Sequence, residues 1–115
     1  MSDDCLFCKI VRREVVSNVI LDTPDVYAFE DINPQAPVHV LVVPKIHVPH
    51  VLDFGRDHVD LWQEMLFVVQ KISHQYLLDK EGFRLVTNMG PYGGQTIYHF
   101  HYHILGGRPF TWPPG

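Results

Sequence analysis

The chain is 115 residues long, 46% hydrophobic, and carries a formal net charge of −4. That length supports one domain, 1–115, with a real core. The nine Lys and Arg are scattered, which argues against nucleic-acid binding through the phosphate backbone, and no apolar run approaches a membrane span.

The start, Met1-Ser2-Asp3-Asp4, is acidic and lacks the basic and apolar regions of a signal peptide. Two cysteines, Cys5 and Cys8, are too few and too close for a disulfide framework. A cytoplasmic protein with reduced thiols is therefore expected. Leu6 to Arg13 predicts a short helix that places the cysteines about one turn apart. Asn18 to Asp22 and Val26 to Glu30 flank Thr23-Pro24-Asp25 and predict a hairpin. Two prolines make Asp31 to Pro37 a loop. Val38 to Val43 is strongly β-forming, contains His39 and ends at Pro44. One long helix should start near Asp57 as N-cap, bury Trp62, Met65, Leu66, Val69, Ile72 and Tyr76, and stop at Gly82. Phe83 to Asn88 reads as a strand and Met89 to Gly94 as a glycine-rich loop, made either for close approach to a ligand or simply for turning. Five strands without βαβ alternation predict an antiparallel α+β sheet.

The last strand carries the chemistry. In Tyr98 to Leu105, His99, His101 and His103 alternate with Tyr98, Phe100, Tyr102 and Ile104, so one strand face would hold three imidazoles over roughly 13 Å. Imidazole titrates close to neutrality and can act as nucleophile, acid, base or metal ligand; a solvated polar face is the plain alternative. Cys5-x-x-Cys8 is ambiguous by itself. A thioredoxin-like redox motif needs a βαβ context that is missing here, zinc needs four ligands, and two idle thiols would also fit. His50, His58 and His74 have no evident partner and are expected at the surface.

The run Gly93-Gly94-Gln95-Thr96-Ile97-Tyr98-His99-Phe100-His101-Tyr102-His103-Ile104-Leu105-Gly106-Gly107 resembles the signature of the histidine triad (HIT) superfamily. The ending Arg108-Pro109-Phe110-Thr111-Trp112-Pro113-Pro114-Gly115 is similar to that of its histidine triad nucleotide-binding, Hint-type branch. Leu6 to Ile10, Ala28 to His39 and Val43 to His47 match as well, so the resemblance covers nearly the whole chain. It implies a HIT fold: a five-stranded antiparallel sheet with one long and one short helix, dimerising into a ten-stranded sheet. It implies a purine nucleotide (AMP or GMP type) as substrate. The activity implied is cleavage of the P–N bond of nucleoside phosphoramidates through a nucleotidyl-histidine.

The same resemblance assigns roles. His101 would attack the α-phosphate, its other nitrogen held by a backbone carbonyl; His103 would contact a phosphate oxygen. His99 and His39 would form a supporting relay, although His39 also reads as an ordinary core histidine. Asn88, Gln95 and Thr96 would hydrogen-bond phosphate. Thr96 replaces the usual serine near the leaving group, and its parity opposes the histidines unless the strand starts after it. Asp31 would bind ribose. Phe7, Ile10, Phe29 and Ile32, which otherwise read as core, would enclose the base. Cys5, Cys8, His47 and His99 would hold a structural zinc, with no organic cofactor. Gln-Thr before the triad also occurs in Fhit-type dinucleoside polyphosphate hydrolases, which are the alternative enzyme; a nucleotide-binding or interaction module with little turnover is the alternative of another class. The proline-stiffened tail carries two aromatics and should be pinned, near the partner's active site in the implied dimer.

Overall fold

The computed structural model describes residues 4–115; Met1, Ser2 and Asp3, part of the acidic start, lie outside the described residues. Strands β1 (Val19–Asp22), β2 (Val26–Glu30), β3 (Val38–Pro44), β4 (Phe83–Val86) and β5 (Tyr102–Gly106) form one antiparallel sheet in the order β1-β2-β3-β5-β4. The Thr23 side chain closes the β1–β2 turn by accepting from Val26 N at 3.0 Å.

Period-two alternation gives this sheet two buried faces. Val26, Ala28, Val40, Val42, Tyr102 and Ile104 point to one side and pack with Met65, Val68, Val69 and Ile72 of helix α2 (Val59–Gln75). Tyr27, Phe29, Leu41 and Val43 point to the other and pack with Cys5, Phe7, Cys8 and Ile10 around helix α1 (Leu6–Val11). The second face matters for function. Leu41 pairs with His103 and His39 with Leu105 across β3–β5, and Val86 faces His103 across β4–β5, so His39 and His103 emerge on the α1 side.

Several expectations need correction. Helix α2 begins at Val59 after a 3₁₀ turn, Arg56–His58, so Asp57 is not its N-cap. It ends at Gln75, before Gly82, because Leu77 turns left-handed with φ 58°. Gly82 ends a one-turn helix, α3 (Leu78–Glu81), instead. The buried stripe runs through Met65, Val68, Val69 and Ile72, while Trp62 and Leu66 are exposed; Val68 takes the inward place expected of Leu66, and Trp62 stands near the start of the helix against Phe54. The glycine-rich loop contains a second single turn, α4 (Gly90–Gly93), so there are more helical pieces than one long and one short.

The histidine run is the largest departure. Only Tyr102–Gly106 is ladder; the residues before it bend. The last β3–β5 pair is Val42 with Tyr102. Two positions on, Pro44 has no N–H to offer a partner strand, and its carbonyl accepts from His99 Nε2 at 2.8 Å. The side-chain alternation nevertheless persists through the bend. Phe100 and Tyr102 are buried in the α2 core, opposite the histidines; Tyr98 is exposed instead.

Beyond β5 the chain turns at Gly107 with φ 88°, where an added Cβ would lie 2.8 Å from Pro37 Cβ. Gly107→Ala combines a disfavoured backbone with a clash against a rigid ring, and a loss of about 1–3 kcal/mol is expected in urea unfolding. A variant with the wild-type midpoint would show that the turn can relax away from Pro37.

Candidate active site and metal cluster

Five imidazoles and two thiols meet where α1 crosses the sheet. Their hydrogen-bond partners define two linked sites, because a carbonyl can only accept and a backbone N–H can only donate, and each partner therefore fixes a tautomer.

His101 is buried, and its Nδ1 lies 2.8 Å from the His99 carbonyl. Nδ1 therefore carries the proton and Nε2 keeps a free lone pair. Thr87 Oγ1 donates to the His101 carbonyl at 2.9 Å and holds that residue's backbone. The Phe7 ring stands edge-on to the imidazole at 4.9 Å between centroids. His39 Nδ1 accepts from the Gln35 backbone N–H at 3.0 Å, so its proton is on Nε2, 2.9 Å from His103 Nδ1 and 3.4 Å from Asp31 Oδ2. His103 thus receives a hydrogen bond at Nδ1 and carries its own proton on Nε2. Asp31, His39 and His103 bring metal-type donor atoms within 4.8 Å of one another. The Gln35 N–H, however, commits His39 to a hydrogen bond and opposes metal ligation through Nε2.

Burial keeps these rings neutral. It lowers the pKa of His101, against the opposing pull of the His99 carbonyl, and that of His39, against Asp31. Burial, helped by His101 and His39, brings His103 down to about 4. A lowered pKa extends the neutral, nucleophilic form to more acid pH.

A hollow of about 300 Å³ opens over His101 and His103, walled by Phe7, Ile10, Phe29 and Leu41 with Asp31, Ile32 and Thr96 among its lining. Phe7, Ile10 and Phe29 are buried, whereas Ile32 is 95% exposed and sits on the rim. Asp31 is half-buried, with Oδ1 accepting from Asn33 N at 2.9 Å. Thr96 precedes the strand, so its parity no longer conflicts with reaching the hollow.

Two sequence readings change, those of Gln95 and of the relay. Gln95 is not placed to bind phosphate: its Nε2 donates to the carbonyls of Pro49 at 2.8 Å and Ile97 at 3.1 Å, which uses both amide hydrogens, and its Oε1 accepts from Gly90 N. It clamps the loop instead. Asn88 lies two residues beyond Val86, the cross-strand partner of His103, and lines a hollow with Arg84, Arg108 and Phe110. The relay expected of His99 and His39 runs between His39 and His103, while His99 turns away toward the cysteines. Among the other histidines only His74 is exposed. His50 lies 3.5 Å from Asp53, with its Nδ1 buried and unpartnered among the described residues, and His58 accepts from Gly55 N at 3.0 Å. The supports supplied by the Pro44 and Gln35 backbone left no signal in the sequence, since main-chain groups have no residue type, and the Thr87 hydroxyl lies in a strand-like run with no pattern that singles it out.

The metal cluster forms on the far side of His99. Its Nε2 proton is given to Pro44 O, so Nδ1 presents a lone pair 3.3 Å from Cys5 Sγ and 3.5 Å from Cys8 Sγ. His47 Nδ1 lies 3.4 Å from Cys8 Sγ. Four donors, two sulfurs and two nitrogens, fall within 4.8 Å of one another; this is the Cys₂His₂ set of structural zinc. The Pro44 carbonyl supplies the outer partner that such a histidine ligand uses to fix its tautomer. Cys5, Cys8, His47 and His99 therefore fit a structural zinc. Burial and the neighbouring Cys5 push the Cys8 thiol up to about 11, so metal uptake must displace thiol protons.

A buried histidine with one ring nitrogen free, a second histidine beside it and a Cys₂His₂ cluster that joins helix α1 to the segments before and after the sheet strands, all set on a five-stranded antiparallel sheet, define a histidine-rich α+β scaffold. Residues 12–110 match the HIT domain family, and the chain belongs to it. It is 42% identical over 109 residues to the purine nucleoside phosphoramidase of Escherichia coli (strain K12), covering 95% of this chain and 92% of that protein. It is 41% identical over 114 residues to the 14 kDa zinc-binding protein of Brassica juncea, covering 97% and 100%. The crystal structure of a HIT family hydrolase from Legionella pneumophila Philadelphia 1 superposes with a TM-score of 0.95 at 43% identity, covering 97% of this chain and all of that one. No helix among the described residues is long and apolar enough to cross a membrane.

Proposed function

We propose that this chain is a hydrolase that cleaves the P–N bond of purine nucleoside phosphoramidates through a nucleotidyl-histidine on His101. The observation that carries this reading is the free Nε2 of His101, fixed by the Nδ1 contact to the His99 carbonyl and facing a hollow with apolar walls and an acidic lip. The E. coli relative's activity supports the same substrate class.

In the first step His101 Nε2 forms a bond to the α-phosphorus and the P–N bond breaks. The amine leaves after taking a proton drawn from solvent and relayed by the Thr96 hydroxyl, and the His103 Nε2–H stabilises the phosphate oxygens as charge develops. Water then attacks phosphorus, the P–Nε2 bond breaks, and nucleoside monophosphate and neutral His101 are regenerated as one proton returns to solvent. The base lies against Phe7, Ile10 and Phe29, and the ribose hydroxyls donate to Asp31. Apolar walls read a base weakly, so discrimination between adenine and guanine should be loose.

The test is one purified preparation assayed on AMP-amides and dinucleoside polyphosphates. Preference for P–N bonds supports the reading, preference for P–O–P bonds indicates the Fhit-type alternative, and binding without turnover of either indicates a nucleotide-binding module. Because attack needs neutral His101, whose pKa is lowered, kcat/KM should stay level as pH falls to the ordinary imidazole pKa of about 6.5. Its acid limb should lie below that value. An acid limb centred above neutrality would contradict the buried, neutral nucleophile.

The reading includes a homodimer. Strand β4 is a sheet edge with exposed Phe83 and Leu85, and Trp62, Leu66 and Phe67 of α2 are exposed as well. An open edge beside apolar surface supports pairing with a second copy into a ten-stranded sheet. The tail is pinned by Arg84, which donates to Thr111 O at 2.8 Å, and by Arg108 over the Phe110 ring at 4.2 Å; Trp112 remains exposed. Deleting residues 110–115 should change the ratio of kcat/KM for bulky and small amine leaving groups. An intact dimer by sedimentation with an unchanged ratio would confine the tail to packing.

A further inference from the structure

His99 belongs to both sites at once. Its ring Nδ1 faces Cys5 Sγ and Cys8 Sγ at 3.3 and 3.5 Å, its Nε2 is anchored on Pro44 O, and its own carbonyl receives the His101 Nδ1 proton at 2.8 Å. The residue is fully buried, so its ring and carbonyl have little freedom to move independently. A second tie runs through α1. Cys5 caps this helix and Cys8 lies within it. Phe7, between them, touches the rings of both His99 and His101, at 5.9 and 4.9 Å. The cluster is also reachable: a hollow of about 370 Å³ lined by Cys5, His47, Thr96 and Tyr98 opens onto it.

We infer that His99 is a positioning residue that ties the nucleophile to the cysteine–histidine cluster, so that filling the cluster sets the aim of His101 as well as the stability of the fold. This rests on the reading of His101 as nucleophile. A cation held by Cys5, Cys8 and His47 fixes the His99 ring, hence its carbonyl, hence the direction of His101 Nε2, and it holds Phe7 against the same imidazole. With the cluster empty, His99 keeps its Pro44 hydrogen bond but its Nδ1 side, like α1, is held only by weak thiol contacts and apolar packing. A displacement of about 1 Å at a reacting group can cost 10²-fold in rate, so a loss of about 10- to 100-fold in the nucleotidylation step is expected while the sheet remains folded.

The test compares zinc-loaded and chelator-stripped full-length protein at a temperature where both are folded by circular dichroism. Metal content is measured directly. Proton NMR follows the imidazole Nδ1–H of His101, assigned by its loss in His101→Ala, and a rapid-mixing single turnover with an AMP-amide follows formation of the nucleotidyl-enzyme. The expected result is that stripping shifts or broadens the His101 resonance and slows nucleotidylation by the stated factor, and that added zinc restores both. Should stripping unfold the protein, His47→Asn loaded with zinc keeps three protein ligands and water on the metal, and the same two signals should move. An unchanged His101 resonance together with an unchanged rate, in the folded stripped protein or in that variant, overturns the inference. The two claims fail separately. Absence of a nucleotidyl-enzyme in every state overturns the proposed reaction, while the NMR signal still decides whether the cluster and His101 are coupled.

Discussion

Replacing His101 by alanine lowers kcat by about 10⁴-fold or more, as deletion of a nucleophile does elsewhere, while nucleotide binding persists. The two effects separate because binding and attack use different groups. In the proposed complex the base and ribose would be held by Phe7, Ile10, Phe29 and Asp31, which line the hollow and do not depend on the imidazole. The new P–N bond depends entirely on His101 Nε2. Alanine also removes the edge-on partner of Phe7, so some loosening of the α1 wall and a modest rise in Kd are expected. Single-turnover kinetics and calorimetric titration with AMP measure the two quantities on one sample. His101→Gly with added imidazole provides a complement, since a small imidazole can occupy the vacated space and regain part of the rate. Near-normal turnover by His101→Ala would sink covalent catalysis at this residue.

Removing the metal is the change with the largest expected effect on stability. Purified protein should hold about one zinc per chain, since one tetrahedral site uses all four ligands. A ligand that binds only the folded state at a thousandfold excess over its Kd stabilises by about 4 kcal/mol. For a chain of this length that corresponds to a fall in Tm of roughly 15 °C on stripping. Cys8→Ser should produce a similar loss and become insensitive to added zinc. The reason is local. Helix α1 has only six residues, too short to persist alone, and the cluster joins it to His47 after β3 and to His99 before β5. Differential scanning calorimetry with and without chelator measures the effect. Equal melting temperatures would leave Cys5 and Cys8 as ordinary buried thiols.

Local pattern carried much of this protein in its sequence. The apolar runs at Val26 to Glu30 and Val38 to Val43, the β-branched density of β3 and the turn residues at 23–25 set the central strands, because a strand buried on both faces reads as a near-continuous apolar run. The triad spacing put three imidazoles on one face and the two cysteines one turn apart; the family resemblance then singled out His101 and the cysteines' place in a metal set. Tertiary structure decided what such rules do not encode. It stopped α2 at Gln75, where a left-handed Leu77 breaks the helix and no glycine marks the site. It bent the triad out of the ladder, because the ladder ends beside Pro44. It used the Gln95 amide for loop closure. It also divided the histidines by their partners: His39 to His103 through the Gln35 N–H, His99 to the cysteines through the Pro44 carbonyl, and His101 to the His99 carbonyl. Those partners are main-chain groups brought together by folding. The sequence by itself therefore determined which residue types could do chemistry, and only the fold determined which nitrogen of each ring is free to do it.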